Sequence, residues 1–154
     1  HMLAALRERI NDIMLGTVPF DGIMQRDSDN GDYGSLESQT AGHKGATLTY
    51  RKIEGLEHDA VFRTYIDQPL IHAIARHYIG DAVSIYRAMF MNKPAGAGTE
   101  LPWHQDGGDI WNLTGDPPIN IWLALDPATR ANGCVQIVPG SHKLGLLSAP
   151  LRFV

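Results

Sequence analysis

The string Pro102-Trp103-His104-Gln105-Asp106 holds the residue types best suited to chemistry in this 154-residue chain. On a β-strand, side chains two positions apart leave from the same face. His104 and Asp106 can therefore aim an imidazole nitrogen and a carboxylate oxygen at one point. They would be two of the three ligands in a 2-His-1-carboxylate set, which leaves open positions on iron(II) for a co-substrate and oxygen. The competing reading is a surface histidine beside an aspartate, because H-x-D alone is a weak motif.

Other residues near this string invite similar weighing. Trp103, Asp109 and Trp111 flank it and could line a substrate entrance, as could Tyr50 and Arg51. In 119–125, Asn120, Trp122 and Ala124 share one strand face, and Ile119, Ile121, Leu123 and Leu125 share the other. The first face reads as a pocket wall and the second as packing, although a tryptophan is as readily core. Arg87 falls on the same predicted face as Met89 and could pair with an acid there. His142, in the Pro139-Gly140-Ser141-His142 turn, reads as structural. His43, His58, His72 and His77 precede the motif and are not expected to be ligands. Gly96-Ala97-Gly98 does not complete a dinucleotide fingerprint.

The elements that must hold these residues are legible in outline. Leu3, Leu6, Ile10 and Ile13 recur at helical spacing, and Gly16 is a natural stop, so the spacing predicts a helix over 3–15. Residues 17–47 are rich in Gly, Asp, Ser and Asn and read as a long loop, a kind often functional or mobile. A second helix is expected over 69–79, with Pro69 in the first turn, a stripe of Leu70, Ile71, Ile74 and Tyr78, and Gly80 at the end. The remainder reads as short strands over 83–92, 103–106, 119–125 and 134–138, divided by Lys93-Pro94-Ala95-Gly96, Asp126-Pro127 and Asn132-Gly133. Helices first and strands after favour an α+β or mainly-β architecture in a single domain over 3–154, with His1-Met2 read as a tag remnant.

Composition narrows the function classes. Apolar residues make up 44% and charged residues 19%, enough for a core. A net charge of −4, with Lys and Arg scattered, argues against nucleic acid as a partner. One cysteine, Cys134, allows no intrachain disulfide. With no long apolar run and no basic-then-apolar leader, a cytoplasmic protein without a membrane partner is expected.

Five strings together carry a resemblance. They are Thr49-Tyr50-Arg51-Lys52, Met91-Asn92-Lys93-Pro94, Trp103-His104-Gln105-Asp106, Trp122-Leu123-Ala124-Leu125-Asp126, and Asn132-Gly133-Cys134 leading to Pro139-Gly140-Ser141-His142-Lys143. In this order and spacing, residues 49 to 147 resemble the phytanoyl-CoA dioxygenase family. The resemblance implies a double-stranded β-helix, or jelly roll, with helices in front of it. It implies an enzyme that uses iron(II), 2-oxoglutarate and O2 to hydroxylate a small organic substrate, releasing succinate and CO2. His104 and Asp106 match iron ligands of the family, and Lys52, Met89, Gln105 and Trp122 match positions that contact 2-oxoglutarate. Asn120 joins that set through the face it shares with Trp122. Related halogenases carry a small residue at the Asp106 position, so Asp106 favours hydroxylation or a related oxidation.

The family pattern continues with a second iron histidine and an arginine for the far carboxylate of 2-oxoglutarate. Here no histidine follows His142, and Arg152 is the one later arginine. The jelly roll is therefore expected to be incomplete, truncated at both ends, since four or five predicted strands fall short of the roughly eight it needs. Unpaired edges would invite a homo-oligomer or strand exchange with a second copy. Two other readings stay open: a catalytically incompetent remnant acting as a metal-binding or assembly module, and a cupin-like metal enzyme that does not use 2-oxoglutarate.

Overall fold

The computed structural model describes residues 2–96, 98–107 and 118–147. The chain divides into two compact units, His1–Glu100 and Leu101–Val154.

The first unit opens with helix α1, Met2–Leu15, which buries Leu6, Ile10, Ile13 and Met14. These positions follow the spacing of one helical face. Leu3, expected in that stripe, is more than a third exposed, and Met14 takes the inner place. The helix ends in paired backbone bonds, Thr17 N–H to Asp12 O and Gly16 N–H to Ile13 O. Gly16 at φ +71° supplies the left-handed residue this cap requires. A Cβ there would lie 2.7 Å from the His43 ring, so glycine serves both the turn and the packing above it.

A four-stranded antiparallel sheet follows, in the order β2-β1-β3-β4. Its strands are β1 (Ile23–Arg26), β2 (Thr40–Ala41), β3 (Tyr50–Glu54) and β4 (Met89–Met91). Strands β1 and β2 lie inside 17–47, where the sequence reads as loop. They are too short and too polar to show a period. Of the predicted strand 83–92, only β4 joins the ladder.

The β1–β3 pairing slips by one residue. Gln25 faces Lys52, but Arg26 faces Tyr50, which leaves Arg51 as the extra residue of a bulge. The bulge breaks the alternation of the strand, so Tyr50 and Arg51 are both buried although they are neighbours. Met24 and Ile53, partners across the ladder, are fully buried with Tyr50.

Helix α2, Ala60–Ile66, has no counterpart in the sequence reading. Asp59 caps it, accepting from the N–H groups of Val61 (2.9 Å) and Phe62 (3.2 Å). The same carboxylate takes Arg9 Nε of α1 at 2.8 Å, so one side chain starts α2 and ties it to α1. Helix α3, Pro69–Ile79, keeps its expected bounds, with Pro69 in the first turn and Gly80 at the cap. Its apolar stripe is only partly covered among the described residues, with Ile71 and Ile74 half-buried. Leu70 and Tyr78 are about two-thirds exposed, and Ala75 is the buried position.

In the second unit no strand ladder occurs among the described residues, although 103–106, 119–125 and 134–138 read as strands. Apolar alternation marks a segment that can be a strand. The ladder itself needs a neighbour to bond each N–H and C=O. The turns are as the sequence expects. Gly133 adopts φ +79° after the turn Arg130–Asn132. There Asn132 Oδ1 accepts from Thr129 N–H at 2.7 Å, and Asn132 Nδ2 donates to Pro127 O at 2.6 Å. Gly140, at φ +77°, opens the turn Ser141–Leu144. The sheet and helices are consistent with an α+β chain. No described helix is long and apolar enough to cross a membrane.

Candidate functional site

In the second unit, His104 Nε2 and Asp106 Oδ1 lie 3.5 Å apart. His104 Nδ1 is 2.8 Å from the carbonyl oxygen of Pro102. A carbonyl can only accept, so Nδ1 carries a proton, which leaves Nε2 as the ring nitrogen available to a metal on the side of Asp106. Metal-bound histidines are commonly fixed in this way by a backbone carbonyl. Two metal–ligand bonds of about 2.1 Å at right angles set their donor atoms roughly 3 Å apart. The spacing here is close to that, and a neutral imidazole with a carboxylate suits a divalent first-row cation. Among the described residues no group of three or more His, Cys, Asp or Glu side chains is placed to hold a metal. The donor set described is this pair.

Gln105 leaves the backbone between the two donors and turns to another task. Its Nε2 donates to Gly145 O at 2.8 Å, and its Oε1 accepts from Leu147 N–H at 2.6 Å. The amide thus grips the backbone of 145–147 with both ends and braces the segment that carries His104 and Asp106. Trp103 and Trp122 are more than 60% exposed, and Asn120 is exposed. Asp109 and Trp111 lie outside the described residues.

The first unit places the other sequence-derived candidates. The β3–β4 register sets Lys52 opposite Met91 and Glu54 opposite Met89. Lys52, Glu54, Met89 and Met91 therefore share one sheet face, which brings Lys52 and Met89 together as diagonal neighbours. Lys52 Nζ pairs with Glu54 Oε1. It also donates to Gln39 Oε1 at 3.2 Å. Arg87 Nη1 reaches Glu54 Oε2 at 3.3 Å and Oε1 at 3.5 Å, so the acid expected beside Arg87 is Glu54.

Residues 37–39 are tied to this face. Gln25 Nε2 donates to Glu37 O at 2.8 Å, and the Arg26 N–H donates to Glu37 Oε1 at 2.8 Å. Lys44 Nζ donates to the same Oε1 at 3.2 Å. Burial pushes the Glu37 carboxyl up, but the Arg26 N–H and the Lys44 ammonium outweigh it and hold the group below its ordinary value.

Tyr50 and Arg51 are bound into the interior. The Tyr50 hydroxyl accepts from Lys44 N–H at 2.7 Å and donates to Gly45 O at 3.0 Å. Arg51 Nη1 donates to Thr99 O at 3.0 Å, lies 3.8 Å from Asp27 Oδ1, and stacks over Tyr33 at 5.5 Å. Burial raises the Tyr33 hydroxyl above its usual range, and the Arg51 charge opposes that only in part. Glu54, Gln39, Asp27 and Thr99 were not singled out by the sequence. Glu54 carried a signal, since it stands two positions from Lys52 on one strand.

Comparison with known proteins bears on this arrangement. The chain is 39% identical over 71 residues to Phytanoyl-CoA dioxygenase 1 of Oryza sativa subsp. japonica, covering 45% of this chain and 24% of that protein. It is 28% identical over 95 residues to Phytanoyl-CoA dioxygenase domain-containing protein 1 of Mus musculus, covering 62% and 33%. It is 29% identical over 98 residues to L-proline trans-4-hydroxylase of Streptomyces griseoviridis, covering 61% and 36%. The chain thus spans between 24% and 36% of the length of these relatives. No solved structure matches it. The sequence model of the family described as Phytanoyl-CoA dioxygenase (PhyH) matches residues 2–152, nearly the whole chain. The chain therefore belongs to the phytanoyl-CoA dioxygenase family.

Proposed function

We propose that this chain is the iron- and co-substrate-binding part of a 2-oxoglutarate-dependent dioxygenase that hydroxylates a small organic substrate. The family is one of dioxygenases, and a relative is named as a proline hydroxylase. The observation that carries the reading is the pair of donors, His104 Nε2 and Asp106 Oδ1, 3.5 Å apart with the imidazole tautomer set by Pro102 O.

Iron(II), when bound, would supply the activation of O2 that couples oxidative decarboxylation of 2-oxoglutarate to hydroxylation, giving succinate, CO2 and the alcohol. The protein's part is position and charge. His104 and Asp106 would hold the metal. Lys52 would offer an ammonium to a carboxylate of 2-oxoglutarate, with Met89 beside it on the sheet. Within the second unit, Asn120 and Trp122 would be candidates for co-substrate contact, and Trp103, Asp109 and Trp111 for the substrate side. The core would be a jelly roll of which this chain forms a portion.

The test is titration of the chain with manganese(II) followed by assay of succinate release. Stoichiometric metal binding that is lost in both His104→Ala and Asp106→Ala supports the reading. Equal binding by wild type and both variants would sink it. A second reading, a metal-binding or assembly module without turnover, rests on the same pair being the donor set described. Metal binding without succinate in the complete polypeptide would favour it.

A further inference from the structure

Glu54 is held by two cations at once. Lys52, two residues earlier on β3, pairs with Oε1, and Arg87 reaches both carboxylate oxygens from just before β4. The side chains of Lys52 and Glu54 are 17% and 12% exposed, so the pair is largely desolvated yet open to a small solute. A carboxylate in such a place is costly to leave alone, because removing one partner of a buried pair strands the other charge. Arg87 removes that difficulty. Its guanidinium is planar and presents several donors, so it can retain Glu54 by itself.

We propose that Glu54 and Arg87 form a hand-over device for Lys52. In the ligand-free protein Glu54 is the counter-ion of Lys52. When a small carboxylate anion arrives, Lys52 turns to it and Glu54 stays paired with Arg87. Only ion pairs exchange, and no bond is made or broken. Gln39, the other partner of Lys52, comes from 37–39 and lets go in the same movement. Glu54 and Arg87 are then positioning residues that set anion affinity through Lys52. The inference rests on the reading of Lys52 as the partner of a 2-oxoglutarate carboxylate.

The two residues should act in opposite directions, and Arg87 should act through Glu54. Calorimetric titration of 2-oxoglutarate into the full chain with manganese(II) present reads this directly. Glu54→Gln removes the competitor and should tighten binding about three- to tenfold. Arg87→Met makes release of Lys52 costly and should weaken binding by a similar factor. Arg87→Lys, which keeps the charge but loses the planar donor set, should restore part of it. In the double variant Glu54→Gln/Arg87→Met, the loss of Arg87 should matter little.

Weaker binding in Glu54→Gln, or an equal effect of Arg87→Met in both backgrounds, overturns the hand-over. Circular dichroism checks each variant for folding. Should Arg87→Met fail to fold, the sign of the Glu54→Gln effect and the affinity of Arg87→Lys decide the matter. Lys52→Met separates the two levels of the argument. Unchanged affinity in Lys52→Met removes the reading of Lys52, and this inference with it. Affinity that depends on Lys52 but shows no coupling between Glu54 and Arg87 removes the hand-over alone.

Discussion

Arg51 Nη1 donates to the carbonyl oxygen of Thr99 at 3.0 Å, across 48 residues of sequence. Thr99 is fully buried, and its other polar groups are held as well. Its N–H reaches both oxygens of Asp27, at 3.3 and 3.2 Å, and its Oγ1 lies 2.6 Å from Ser28 Oγ. Arg51→Met would leave Asp27 with N–H donors but without its cation, and the Thr99 carbonyl without its donor. Breaking a buried pair from one side costs about 3–5 kcal/mol, and the remaining N–H bonds to Asp27 place this case near the lower end. Urea unfolding measures it, and a loss under about 1 kcal/mol would count against the anchoring role.

Asp59 separates capping from ion pairing. Asp59→Ala removes the acceptor for Val61 and Phe62 together with the partner of Arg9. A lost N-cap costs about 1–2 kcal/mol. Asp59→Asn keeps the cap and loses only the charge, so its unfolding midpoint should fall between those of wild type and Asp59→Ala. Equal losses in the two variants would mean that the Arg9 pair dominates.

Gln105→Ala should loosen 145–147 in particular. Its amide makes two backbone bonds there, and one net hydrogen bond is worth about 1 kcal/mol, or roughly a fivefold change in a local opening equilibrium. Amide exchange at Leu147 should rise by about that factor, while exchange in α1 stays as it was. Unchanged exchange at Leu147 would deny the brace.

Acid should release residues 37–39 from the sheet. The carboxyl of Glu37 is held below its ordinary value, so its deprotonated form is favoured by folding. The stabilisation it brings is complete above the ordinary glutamate value. It is lost as pH falls from there through the lowered folded value. Hydrogen exchange at the Arg26 amide, which bonds to Glu37 Oε1, should accelerate over that interval in wild type. In Glu37→Gln the acceleration should be absent.

Local signals in the sequence reach as far as local bonds do. The bounds of α1 and α3 follow from apolar spacing and from Gly16 and Gly80, because helical bonds close within a few residues. The pairing of Arg87 with an acid follows from strand alternation, and the nearness of His104 to Asp106 follows from i, i+2 spacing in an extended chain. Strands β1 and β2 were hidden because four residues and two residues carry no measurable period. Helix α2 was hidden because Val61, Phe62, Thr64, Tyr65 and Ile66 are strand-favouring types, and its stability comes from Asp59 and from α1. The alternation over 119–125 states what that segment would do beside a neighbour, and the described residues supply none. Around the site, the Pro102 carbonyl and the 145–147 backbone act through main-chain atoms, which residue types do not announce.

The bulge in β3 has a mechanical consequence. The β1–β3 ladder would run without a break if Arg51 were deleted, since Gln25 would still face Lys52 and Arg26 would still face Tyr50. The strand therefore carries one residue that the sheet does not use. That surplus residue is the one that grips Thr99. A pull on the chain at Thr99 is borne by Arg51, Asp27 and Ser28, two of which sit directly after β1 and one within β3. The load passes across adjoining strands of one sheet, which makes the sheet a tether as well as a scaffold.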